Sequence, residues 1–269
     1  MTYISKHWRS LVRRYAPGPI MTVVVLAGLF SVTGCARKPR ATILFDESHG
    51  QKFLIEKQGP LDLSGLAGLF RDQGLEVKTS SATITEETLA GVDSLVVSGP
   101  FVPFTPAESD AATRFVHNGG RLCIMLHIPN PVAPLLYRMN VVTSNGVIRE
   151  RENMVGEDPL NFHVAGQAGQ GLTAEVPAFD AFGVWALQPT SESATVVAQT
   201  SASAWVDLNG NQTLDRGDAA QAFAVVVAGQ LGNGRFVIFG DDAIFQNQFL
   251  SGGNALLAKN LAKWLGQKR

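Results

Sequence analysis

Short apolar runs recur along the chain, and each closes on polar or glycine-rich residues. Ala41 to Phe45 (ATILF) precedes Asp46-Glu47-Ser48-His49, and Ser94 to Ser98 (SLVVS) precedes Gly99-Pro100. Arg121 to Leu126 (RLCIML) precedes His127, and Gly234 to Phe239 (GRFVIF) precedes Gly240-Asp241-Asp242. Runs of this length without polar alternation predict strands buried on both faces. Between them the period changes. Leu63, Leu66, Ala67, Leu69 and Phe70 recur at helical spacing, and Gln73-Gly74 ends that helix ahead of a strand over Leu75 to Lys78. Thr105-Pro106-Ala107-Glu108 supplies an N-cap, a proline at the first helical position and an acid in the first turn, and the helix runs to Asn118 before Gly119-Gly120. A short helical stretch is expected over Glu86 to Ala90, and Asn254 to Leu265 (NALLAKNLAKWL) reads as an amphipathic helix.

Strands alternating with helices through short loops imply an α/β fold of three layers, a mostly parallel sheet covered by helices on both faces. From about Val141 to Ala228 the segments become short and rich in Gly, Ser and Thr, including Thr195 to Thr200 and Gln221 to Val227. This predicts a β-rich extension, antiparallel or irregular, before the pattern reverts at Gly234.

Composition narrows the function classes. The 269 residues are 45% hydrophobic and 17% charged, with a net charge of −1 and two cysteines. That excludes a disordered chain, a basic nucleic-acid binder and a disulfide scaffold. Lys6, Arg9, Arg13 and Arg14 precede an apolar run from Ile20 to Val32 that is shorter than the roughly 20 residues of a membrane-spanning helix, so residues 1–34 read as a secretory signal. Val32-Thr33-Gly34-Cys35 resembles a bacterial lipobox, which implies cleavage before Cys35 and lipid attachment to it. The expected organisation is a signal peptide over 1–34, a short linker over 35–40 and one domain over 41–269. The domain would sit in the cell envelope, held on a membrane and facing the periplasm or the extracellular space. Ala36 is not the Asp that favours inner-membrane retention in some bacteria, so the outer membrane is permitted. Cys123, inside an apolar run, reads as a buried free thiol.

In open parallel sheets ligands bind beyond the carboxyl ends of the strands. Asp46, Glu47 and His49 after the first strand, His127 after another and Asp241 after the last are therefore the candidate ligand-binding residues. Two readings stay open: these groups cap helices and satisfy loop amides, or they converge on a polar ligand or a metal. A hydrolase built from His49, His127 and Asp46 or Asp241 belongs to the second reading, and His163 is an outlying candidate.

The segment Asp207-Leu208-Asn209-Gly210-Asn211-Gln212-Thr213-Leu214-Asp215-Arg216-Gly217-Asp218 has the alternation of a calcium loop. Oxygen donors fall at Asp207, Asn209, Asn211, Asp215 and Asp218, and Thr213 offers its carbonyl. It departs from the EF-hand pattern with Gln212 where glycine is expected and with Asp218 in place of the bidentate Glu. Calcium is the one cofactor expected.

Phe45 to Gly50, Ser94 to Pro100, Phe104 to Glu108, Phe115 to Leu122 and Gly234 to Asp241 together resemble the domain-of-unknown-function 4350 group. That group is similar to the class I glutamine-amidotransferase-like superfamily and to related gliding-motility and intraflagellar-transport-type domains. The resemblance implies a flavodoxin- or amidotransferase-like sheet. In amidotransferases the strand matching Gly120 to Leu126 ends in a nucleophilic cysteine, and here that position is His127. The resemblance thus implies a fold without its nucleophile: a lipid-anchored, non-enzymatic binding or scaffold module for a partner protein or small polar ligand, with no nucleic acid. The alternatives are the hydrolase above and an accessory protein of a membrane transporter.

Overall fold

The computed structural model describes residues 40–166 and 171–268. The predicted signal, Cys35 and all of the linker but Arg40 lie outside the described residues. The parallel core is built from β1 (Thr42–Asp46), α1 (Ser64–Asp72), β2 (Glu76–Ser80), β3 (Ser94–Ser98), α2 (Pro106–His117), β4 (Arg121–Met125) and α3 (Ala133–Arg138). An extension follows through β5 (Val141–Arg149), β6 (Met154–Val155), β7 (Asp158–Ala165), β8 (Ala178–Phe182), β9 (Trp185–Pro189), β10 (Ala194–Gln199), β11 (Trp205–Val206), β12 (Ala219–Ala220) and β13 (Ala224–Leu231). The chain then returns through β14 (Gly234–Phe239) and α4 (Gly252–Leu265).

One sheet runs β12-β11-β5-β9-β13-β14-β4-β3-β1-β2, with β10 also paired to β13. From β14 to β2 every neighbour is parallel. Beyond β14 every pairing is antiparallel. The β-rich extension is therefore antiparallel, and most of it continues the same sheet. Only β6, β7 and β8 separate, as a second small antiparallel sheet. β14 joins the halves, parallel to β4 on one side and antiparallel to β13 on the other.

The layers follow from period-2 alternation within strands buried on both faces. Ile43, Phe45, Val96, Cys123, Met125, Val237 and Phe239 enter one core together with residues of α1 and α4. Leu44, Leu95, Val97, Leu122, Ile124, Phe236 and Ile238 enter the other, against α2 and α3. The small sheet packs on α4 by close approach. A Cβ on Gly253 would lie 1.8 Å from the Ala178 carbonyl, and Asn254 exchanges hydrogen bonds with the Asp180 backbone at 2.7 and 3.0 Å.

α2 starts on the predicted cap. The Thr105 hydroxyl accepts from the Glu108 amide at 3.2 Å while Glu108 accepts from the Thr105 amide at 3.0 Å, a reciprocal capping box. Glu86 to Ala90 forms a single turn instead of the expected helical stretch. Thr85 and Thr88 bond each other's backbone amides through their side chains, which competes with helix propagation, and Gly91 at φ +73° ends the turn. Among the described residues no helix is long and apolar enough to cross a membrane.

Candidate functional site

The strand order β2-β1-β3-β4-β14 leaves β1 as the point where connections depart in both directions. In such sheets the ligand crevice opens between β1 and its neighbour on the other side, here β3. The loop after β1 carries His49 to that crevice, and the structure closes it. The His49 ring stacks on Phe104 at 3.7 Å and 3°. Phe101 and Val102 donate their amides to the His49 carbonyl at 2.8 and 2.9 Å. Gly50, at φ +70°, makes the turn that lets the loop fold back.

His49 is 2% exposed and bridges two carboxylates, with Nδ1 2.7 Å from Asp46 Oδ2 and Nε2 3.3 Å from Glu108 Oε1. Asp46 also accepts from the Ser48 amide and hydroxyl and from Gln51 Nε2, so its lone pairs are engaged. Burial alone would lower the His49 pKa. The hydrogen bond and charge of Asp46, with the charge of Glu108, outweigh it and raise the pKa above its ordinary value. For Glu108 burial works upward, but the Thr105 hydroxyl and amide and the His49 charge bring the carboxyl below the usual range. An imidazole with an acceptor at each nitrogen is held as the imidazolium, which donates from both.

His127 has a different setting. It follows β4, its side chain is 39% exposed, and its Nδ1 lies 3.2 Å from Oδ1 of Asp242, whose side chain is 2% exposed. The ring stands against Phe53 at 5.3 Å and Phe101 at 5.2 Å, and Trp185 Nε1 donates to the His127 carbonyl at 3.0 Å. The hydrogen bond to Asp242, opposed by burial and helped by the charges of Asp242 and Asp241, raises the imidazole pKa. Asp242 Oδ2 is buried without a hydrogen-bond partner, and a Cβ on Gly99 would lie 2.5 Å from it. Gly99, at φ +54°, leaves room for this carboxylate between β3 and β14.

Asp241 does not join the dyad. Its oxygens accept from the Phe182 and Ala243 amides at 2.8 and 2.7 Å, capping the turn after β14 and holding the end of β8. Burial and the adjacent Asp242 charge push its carboxyl up to about 8. Burial raises the Asp242 carboxyl as well, and the hydrogen bond and charge of His127 oppose that rise. The structure pairs Asp46 with His49 and His127 with Asp242, and no described hydrogen bond or ion pair joins one pair to the other. Glu47 is half-buried, its pKa raised by burial and by the charges of Glu56 and Asp46. His163 is exposed and pairs with Asp180 at 2.5 Å on the small sheet.

Among the described residues no Ser, Thr or Cys side chain is hydrogen-bonded to the His127 ring. Cys123 is 0% exposed in mid-β4, where burial drives its thiol pKa upward, and the buried Ser98 hydroxyl has no hydrogen-bond partner. Among the described residues no three His, Cys, Asp or Glu side chains gather so as to hold a metal ion. In the 207–218 loop Gln212 adopts φ +61°, the conformation for which glycine is favoured at that position. Asp207 accepts from the Gly210 and Gln212 amides, Asp215 from Gly217 and Asp218 from Leu208, at 2.7 to 2.9 Å.

Glu108, Phe53, Phe101 and Trp185 are not among the candidates from sequence, and Asp242 enters there only as the neighbour of Asp241 in the polar cluster after the last strand. Glu108 read only as a cap, and the doublet Asp241-Asp242 does not say which carboxylate turns to the dyad. The aromatics of the Gly- and Pro-rich segment Gly99-Pro100-Phe101-Val102-Pro103-Phe104 were the one available signal, since large apolar residues in such a loop need a partner.

A family model described as "Domain of unknown function (DUF4350)" matches residues 57–262. No protein of curated function matches. Among solved structures, the "mmIFT52 N-terminal domain" is similar at a TM-score of 0.67 and 18% identity, covering 84% of this chain and 97% of that one. A cytoplasmic protein from Salmonella typhimurium LT2 is similar at a TM-score of 0.54 and 15% identity, covering 84% and 100%. A ThuA-like protein from Bacteroides uniformis ATCC 8492 is similar at 0.51 and 15%, covering 86% and 93%. These likenesses are of fold.

The dyad makes a direct prediction. In an NMR titration the His127 ring should change protonation above the ordinary pH of about 6.5, and Asp242→Asn should move the midpoint down toward that value. A midpoint unchanged by Asp242→Asn would show that the carboxylate does not hold the imidazolium.

Proposed function

The chain belongs to the DUF4350 family, and from that premise we propose that it is a lipid-anchored, extracytoplasmic binding module that recognises a partner at His127 and performs no hydrolysis. What supports the reading is the contrast at the strand ends: the crevice between β1 and β3 is filled by His49 and Phe104, while His127 stands half-exposed, hydrogen-bonded to the buried Asp242 and, among the described residues, to no nucleophilic side chain. A carboxylate at Nδ1 can equally support a general base, so the non-hydrolytic reading rests on the lack, among the described residues, of a nucleophilic side chain hydrogen-bonded to the His127 ring. An imidazolium between two phenyl rings instead suits a carboxylate or carbonyl acceptor attached to an apolar group. Such an acceptor is carried by a peptide segment of a partner protein or by a small polar ligand. Lys52, 5.9 Å from the Phe101 ring, and the exposed Val102 border the same surface.

The test is capture of partners from solubilised membranes by the wild type, His127→Ala and Phe101→Ala, with ammonia release from glutamine and ester hydrolysis measured in parallel. A specific partner should be retained by the wild type and lost by at least about tenfold in both variants, the scale of a central interface anchor. Hydrolysis that His127→Ala abolishes, or capture indifferent to both substitutions, would overturn the reading.

We also propose that the 207–218 loop takes calcium weakly, as suits a metal-rich extracytoplasmic space, and serves to order the connection between β11 and β12. The support is the sequence spacing of its oxygen donors and the left-handed Gln212; the three carboxylates, which do not gather here, would have to close around the ion. At a site of about 0.1 mM affinity, millimolar calcium should add on the order of 1.4 kcal/mol, read as a melting shift of a few degrees. The shift should vanish in Asp207→Ala; a shift of equal size in that variant, or none in either protein, would reduce the loop to a turn.

A further inference from the structure

Because β1, β3, β4 and β14 are parallel, their first residues share one pole of the sheet. Register aligns Ile43 with Ser94, Ser94 with Arg121 and Arg121 with Arg235 in a single row. Arg121 and Arg235 are direct neighbours on one face. Burial first, then the Arg235 charge, pushes the Arg121 pKa down, and like charges side by side on a sheet are ordinarily destabilising. Arg121 holds the chain's last turn to this pole, bonding the carbonyl and side chain of Gln267 and lying 5.9 Å from the Trp264 ring. Lys263 and Lys268 come with that turn, exposed, and Arg40 enters β1 at the same pole, also exposed.

Among the described residues none of Arg40, Arg121, Arg235, Lys263 or Lys268 forms an ion pair with a carboxylate. The acids at this pole are Asp72, Glu76, Asp93 and Glu192, the last lining one cavity with Arg235 and Trp264. Glu76 pairs with Lys78 at 2.9 Å, and Asp93 accepts from the Thr42 amide at 2.8 Å while facing Arg121. The whole chain carries 22 basic and 23 acidic residues, so an unpaired basic pole is a local asymmetry and not a reflection of overall charge.

We propose that this pole docks on an anionic lipid surface. Its basic side chains meet the headgroups and the half-buried indole of Trp264 sits at the polar boundary, as amphipathic aromatics do. The inference deepens the lipid-anchored reading and rests on it for the choice of surface, since the chain enters the domain at this pole. The strands then carry His127 and Asp242 to the opposite ends, about 16 Å further on for five residues, so the recognition site faces away from the membrane.

Residues 39–269 form a compact unit with two cores drawn from Ala41 to Leu265, so a chain beginning at Pro39 tests the surface without its lipid. Its sedimentation would be measured with vesicles of phosphatidylcholine alone and of phosphatidylcholine with phosphatidylglycerol, at low and high salt. Binding should require phosphatidylglycerol and disappear at high salt. Arg235→Gln, Lys263→Gln and Lys268→Gln, all exposed positions, should each weaken it by about fivefold with the melting temperature unchanged. Equal binding to both vesicles, binding equal to wild type when the three substitutions are combined in one chain, or duplex DNA bound as tightly at the same salt would overturn the proposal. Lipid labelling of the full chain and of Cys35→Ala runs alongside. Vesicle binding without Cys35-dependent labelling sinks the anchor alone, and labelling without vesicle binding sinks the docking pole alone.

Discussion

The end of the sheet where a ligand would be sought is organised by one buried cation. His49 lies between Asp46 and Glu108, stacked on Phe104, in the crevice where the strand order reverses. Two carboxylates in that position would each incur a large desolvation penalty, and the imidazolium between them offsets it with a charge and two donors. The loop after β1, the loop after β3 and the first turn of α2 are thereby tied together. Glu108 serves twice, one oxygen closing the capping box and the other meeting His49. Removing His49 from such a knot leaves two buried carboxylates without a counter-charge, and breaking a buried pair in this way typically destabilises by about 3–5 kcal/mol.

Filling the crevice moves recognition one strand along. β4 and β14 deliver His127 and Asp242 side by side, and the aromatics of the same closed loops, Phe53 and Phe101, become the walls of the exposed imidazole. The sealed network thus builds the open one: Phe101 is placed by the hydrogen bond its backbone N–H donates to the His49 carbonyl and touches His127 with its ring. Asp241 and Asp242 illustrate the division within a single dipeptide. One carboxyl accepts from two backbone amides while burial and its neighbour push it up to about 8; the next, also raised by burial, turns to the His127 ring.

What could be read in the sequence was what local chemistry determines. The capping box of α2 is written in Thr105 to Glu108, and the four central strands are marked by apolar runs that both cores require. The extension hid its architecture because β5, with mixed burial and a register shift between Thr143 and Val147, carries neither a continuous apolar run nor a clean alternation. That the extension prolongs the main sheet depends on β13 pairing with β14, a contact across a tight turn whose consequence is global. At the site, the polar clusters were visible but not their pairing. The Asp242 partner of His127 comes from a residue 115 positions away, and the choice between Asp241 and Asp242 is made by the Phe182 amide of a strand that no local pattern links to β14.

The division between a sealed His49 and an open His127 is tested most directly by stability as a function of pH. A histidine whose folded pKa is raised contributes stability that is complete below the unfolded value of about 6.5 and is lost as pH rises through the folded value. Denaturant unfolding of the wild type and His49→Gln between about pH 5.5 and 9 should therefore show the wild type's advantage largest at the acid end and narrowing as pH rises. An advantage that stays constant or widens with pH would show that His49 is not the buried cation on which this end of the sheet depends.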